Sequence, residues 1–211
     1  MLDERFVWIG FFLTFYGGLD YLMNTLKGRN KPNRISWFFW ALAPLIAFAA
    51  EIQEGVGLQS LMTLSVGLNP LIILIGSFFN KNSYWKLNKS DYFYGALALS
   101  GIIIWQITGE GNMAILFAIL ADGLASIPTV IKSYFKPETE SPLIFLLSIF
   151  NALITLLTIK SWNFAHWGFP IYILVLDIIL YSLIRFKLGL AIQKKINFFK
   201  KSNDCDNKNP T

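Results

Sequence analysis

The sequence predicts an all-α membrane protein with seven transmembrane helices, and three observations carry that expectation. The first is composition: of 211 residues, 55% are hydrophobic and only 15% charged, with a mean hydropathy of +0.51. A soluble domain carries about 25% charged residues, so a soluble enzyme, a nucleic-acid binder and a disordered chain are all disfavoured. The second is run length. Apolar stretches recur near the length of about 20 residues that a helix needs to cross a bilayer. The third is that basic residues crowd into alternate connections.

Taken in order, the spans are 6–26, 35–51, 57–80, 91–107, 112–132, 142–159 and 168–186. The first follows an acidic flank, Asp3-Glu4-Arg5, which is unlike the basic leader of a signal peptide. The second, fourth and sixth are near the short limit, and each is bounded by charges or by Gly, Pro and Asn. The third carries Asn69-Pro70 at its middle. The fifth ends at Lys132, and the seventh leads into a basic tail, 187–211, whose polar end from about Phe198 is expected to be disordered.

Charge sets the orientation. Sixteen of the eighteen basic residues fall in the first, third and fifth connections or at the end of the seventh span and beyond; the exceptions are Arg5 and Lys160. Positive charge stays in the cytoplasm during insertion. The expectation is an outside N-terminus, a cytoplasmic C-terminus and a multi-pass protein of the plasma (inner) membrane. The net charge of +5 is thereby explained without nucleic acid. One cysteine, Cys205, and one histidine, His166, leave no disulfide framework and no metal-ligand set. No cofactor is expected, and no nucleophile–base pair or phosphate-binding glycine loop suggests an enzyme.

A repeat is present at an offset of 105 residues: Gly18-Leu19 falls on Gly123-Leu124, Lys27 on Lys132, Lys31 on Lys136, Pro32 on Pro137 and Ser36 on Ser141. Residues 6–80 and 112–186 thus read as two copies of a three-helix unit. A copied odd unit inserts inverted unless one more span intervenes. The span at 91–107 supplies it, giving a 3+1+3 arrangement of parallel repeats.

Pro128-Thr-Val-Ile-Lys132, followed by Ser133-Tyr-Phe-Lys136-Pro-Glu-Thr-Glu-Ser141, resembles the PQ-loop pattern, in which Pro-Gln ends a helix before a basic loop. Met23-Asn-Thr-Leu-Lys27 through Ser36 is a weaker copy, and Asn24 and Thr129 stand where the signature has glutamine. With its 3+1+3 spans the chain resembles the PQ-loop superfamily, which includes the SWEET sugar transporters and the KDEL-receptor type. That resemblance implies a substrate site near the midplane between repeats. It also implies that Asn69 and Asp177 face one pocket, and that Pro44, Pro70 and Pro128 act as hinges.

Three carboxylates, Asp20, Asp122 and Asp177, lie inside predicted spans. Each costs about 2.5–3.5 kcal/mol at a helix centre, so such residues face a cavity or a partner. Burial disfavours the charged form of a carboxyl, which suits Asp122 and Asp20 to proton coupling. Polar stripes accompany them at helical spacing: Tyr16, Asp20 and Asn24; Asp122, Ser126, Thr129 and Ser133; Ser148, Asn151, Thr155 and Thr158. Tyr16, Asn69, Asn151 and Asp177 are the expected substrate contacts. The tryptophans fall near span ends as interfacial anchors; Trp40 is the exception, suited to closing the cytoplasmic mouth of a cavity.

The expected function is small-solute transport by alternating access around a polar midplane cavity, open to proton coupling. A polar neutral or cationic solute suits carboxylates without a basic neighbour. The alternative is a non-transporting receptor or scaffold that binds a lipid or peptide in the same cavity. The bilayer is the other partner, and a homo-oligomer stays open.

Overall fold

The computed structural model describes residues 2–82, 85–108 and 110–196. The described residues are all-helical. In chain order the helices are α1 Val7–Leu26, α2 Arg34–Gln53, α3 Ser60–Gly76, α4 Lys89–Thr108, α5 Gly111–Phe135, α6 Leu143–Thr158 and α7 Phe164–Arg185. Single 3-10 turns occur at Glu4–Phe6 and Pro137–Thr139. Residues 188–196, assigned to the tail by sequence, are helical. The polar end of the tail and Cys205 lie outside the described residues.

Among the described residues, four segments are long and apolar enough to cross a membrane: Glu4–Leu26, Arg34–Gln53, Gly111–Phe135 and Phe164–Arg185. Helices α3 and α6 are apolar but only 17 and 16 residues long, which at 1.5 Å per residue is short of a hydrocarbon core of about 30 Å. The cause in α3 is local. Arg34 donates to the Ser77 carbonyl at 2.7 Å and to its hydroxyl at 3.1 Å, and the chain leaves the helix there rather than at residue 80. Helix α7 starts four residues earlier than its apolar run, because the Asn163 side chain accepts from the His166 N–H and caps it. His166, expected in a loop, therefore sits in the first turn of α7.

Packing follows small residues. Ala43, Ala47 and Ala50 of α2 and Ala114, Ala118, Ala121 and Ala125 of α5 are all buried, at intervals of three and four residues on both helices. Helices without large side chains approach closely, and α2 packs along α5. Glycine serves the same purpose between α1 and α6, where Gly10 meets Asn151 and Gly17 meets Ile144. Helix α3 packs on α1 and α2, α7 on α5 and α6, and α4 lies against α5 and α2.

The connections gather by charge. Lys31 N–H donates to the Thr139 carbonyl at 3.0 Å, and the Asn80 amide donates to the Leu26 carbonyl at 2.7 Å, bringing the α1–α2, α3–α4 and α5–α6 connections to one end. This is the basic end. At the other, Leu2 N–H donates to the Leu157 carbonyl and Gln59 to the Thr158 carbonyl.

Candidate functional site

A small cavity of about 50 Å³ lies between α1–α2–α3 and α5–α6–α7. Six helices line it, each through one to three residues. Its polar side chains are Thr14 of α1, Asn69 of α3, Asp122 of α5, and Ser148 and Asp177 of α6 and α7. Trp37 and Trp40 of α2, with Phe145 of α6, supply aromatic walls. Among the described residues no basic side chain lines it. A water needs about 10–15 Å³ of such space, so the cavity has room for a few waters.

Asp122 and Asn69 are each held by a hydrogen bond to a neighbouring helix. Asp122, 1% exposed, accepts from the Tyr172 hydroxyl at 2.6 Å, and its Oδ1 has no protein partner. Asn69, also 1% exposed, donates from Nδ2 to the Thr14 carbonyl at 2.8 Å and leaves Oδ1 unpartnered. The Asn69 amide occupies space that a Cβ at Gly18 would fill. Asp177 is 6% exposed on the opposite wall.

Asn69, Asp122 and Asp177, selected from the sequence, are therefore brought together, and Pro70 lines the same cavity. Three others are not part of the lining. Tyr16 is 64% exposed on the outer face of α1. Its stripe shares a helix with the cavity but not a face, because Thr14 and Gly18 occupy the inner one. Asp20 accepts from Asn24 at 3.1 Å and from Ser141 at 3.3 Å, toward the basic end of α1. Asn151 donates to the Ser65 hydroxyl at 3.0 Å and fills the notch at Gly10, a packing contact between α6, α3 and α1. Pro44 and Pro128 are buried inside α2 and α5, which continue through them. Pro170 is a further interior proline in α7.

Several groups escaped the sequence reading. Trp37, taken as an interfacial anchor, is buried against Tyr21 and Trp40, and both tryptophans line the cavity. Glu51, taken as a span boundary, is buried near the end of α2 and accepts from the Thr63 hydroxyl at 2.9 Å. Lys132, taken as a loop lysine, is buried in the last turn of α5 and paired with Glu140. In the sequence it stood out as the match of Lys27 at an offset of 105 residues and as the end of the segment that begins at Pro128.

The chain was compared with protein-family models, curated proteins and solved structures, and it matches none of them.

Proposed function

We propose that the protein is a seven-helix transporter of a small polar neutral or cationic solute, working by alternating access and built from two parallel three-helix repeats of the PQ-loop kind. One observation carries the reading: a cavity lined from six helices holds two carboxylates and an asparagine and, among the described residues, no basic side chain. The contact pattern supports the duplication. Helix α3 joins α1 to α2 as α7 joins α5 to α6, and the halves meet through α2 on α5 and α1 on α6. The gathering of basic connections at one end supports an outside N-terminus and a cytoplasmic C-terminus. In this reading α3, α4 and α6 also span, the short lengths of α3 and α6 being met by local thinning of the bilayer.

The cavity's small volume favours a few-atom solute over the lipid or peptide of a receptor or scaffold. Interior prolines in α2, α3, α5 and α7 remove one hydrogen bond each from the helix ladder and give the halves places to bend. Uptake into proteoliposomes of small neutral and cationic solutes, with and without a pH gradient, tests the proposal. Concentrative or exchange flux of at least one solute is expected. Ligand-induced thermal stabilisation with no flux of the same ligand would favour the receptor reading.

A further inference from the structure

A second recess lies at the basic end, remote from the central cavity in its lining. It is a cleft of about 520 Å³ between the three gathered connections. Lys31 comes from the first, Trp85, Lys86 and Asn88 from the second, and Lys136 from the third, with Glu138 as the acidic member. Among the described residues Lys31, Lys86 and Lys136 have no carboxylate partner. The cleft therefore carries an excess of positive charge. Lys132, whose ammonium lies over the Trp85 ring, is neutralised by Glu140.

The backbone that presents Lys31 is held at both of its polar groups. Lys31 is held through its N–H by the Thr139 carbonyl and through its carbonyl by the Lys132 ammonium at 2.7 Å. Trp85 has the Lys132 and Lys136 ammonium groups 5.3 and 5.6 Å from its ring centre, within cation–π range.

The cleft does not end at the connections. Trp85, Asn88 and Lys136 also border a groove of about 220 Å³ between α4 and α5, whose apolar wall is Tyr94, Pro128, Ile131 and Phe135. Ser90, Asp91 and Lys132 line its end next to the cleft, Asp91 buried and accepting from the Asn88 N–H at 2.8 Å. Ile131 and Phe135 are exposed there. A basic mouth opening onto an apolar channel along two helices matches a ligand with an anionic head and a hydrocarbon tail. A free anion would use only the mouth.

We propose that this cleft binds the phosphate headgroup of an anionic phospholipid, with an acyl chain laid along the α4–α5 groove. The proposal rests on the membrane reading above, and it places the lipid in the leaflet on the basic side, where anionic headgroups attract juxtamembrane lysines.

Native mass spectrometry of the full chain in detergent, titrated with phosphatidylglycerol or phosphatidylcholine, tests it. Phosphatidylglycerol should be retained about tenfold better. The variant Lys86→Gln/Lys136→Gln should lose that preference. The charge-matched variant Lys27→Gln/Lys194→Gln, changed on the same end but outside the cleft, should keep it. Equal loss in both variants would assign the effect to general surface charge and overturn the site. Displacement of the lipid by inorganic phosphate at comparable concentration would make the ligand a free anion and overturn the lipid assignment. A chain recovered from cells without detergent would overturn the membrane reading and this proposal together. A detergent-extracted chain with no headgroup preference would overturn this proposal alone.

Discussion

Lys132 at the end of α5 and Glu140 ahead of α6 form an ion pair from which water is almost wholly excluded, the two side chains being 1% and 0% exposed. The Tyr21 hydroxyl of α1 donates to the same carboxylate, and the Lys132 ammonium also donates to the Lys31 carbonyl. One buried charge pair thus ties α1 and the α1–α2 connection to α5 and the α5–α6 connection.

Removing one member leaves a buried charge without its partner, which costs about 3–5 kcal/mol. Lys132→Met and Glu140→Gln are each expected to lower the thermal midpoint of the purified protein sharply. Lys132→Met combined with Glu140→Gln should recover most of the loss, because neither charge is then stranded. Additive losses in the double variant would show that the pair contributes packing rather than charge compensation.

Asp122→Asn keeps size and shape at the cavity wall while removing the titrating oxygen, and the Tyr172 hydroxyl can still donate to the amide oxygen. Insertion and thermal stability should stay near wild type. Dependence of solute uptake on pH should disappear. Uptake that keeps its full pH response in this variant would remove Asp122 from proton coupling and pass that assignment to Asp177, which lines the same cavity.

Gly18 faces Asn69 so closely that an added Cβ would overlap the amide oxygen. Gly18→Ala should destabilise the protein by about 1–3 kcal/mol, the usual cost of overpacking, and weaken solute binding by turning Asn69 away. Gly18→Ala with Asn69→Ala should regain stability but not binding. Thermal unfolding with and without solute separates the two effects.

Orientation is open to labelling in a Cys205→Ser background. Asn30 is buried and Gly55 has φ of +80°, so neither is a suitable position for a reporter cysteine. Lys27 and Gln53 are exposed at opposite ends of the α1–α2 pair. Lys27→Cys should react with an impermeant thiol reagent only after the membrane is opened, and Gln53→Cys should react in intact cells. The reverse pattern would invert the topology.

The sequence by itself determined where the helices are, because apolar runs too long for a strand and bounded by charge or by Gly, Pro and Asn read as helices by length. Each of the seven apolar runs contains a helix, and the ends differ where a side chain acts on the backbone, as Arg34 does at Ser77 and Asn163 does at α7. The sequence also selected Asn69, Asp122 and Asp177, since a carboxylate or amide inside an apolar helix is expensive enough to stand out. Which face each helix turns inward was decided only by tertiary packing. Periodicity puts Tyr16 with Asp20 but cannot say that Thr14 and Gly18 lie on the side facing α3. In a helix that is apolar all round the outward-facing and inward-facing sides are equally hydrophobic, so no polarity contrast marks the inner one. The same ambiguity hid Trp37 in the core and made Lys132 look like a loop lysine. Its partner, Glu140, is eight residues away in sequence across a turn that only the fold closes.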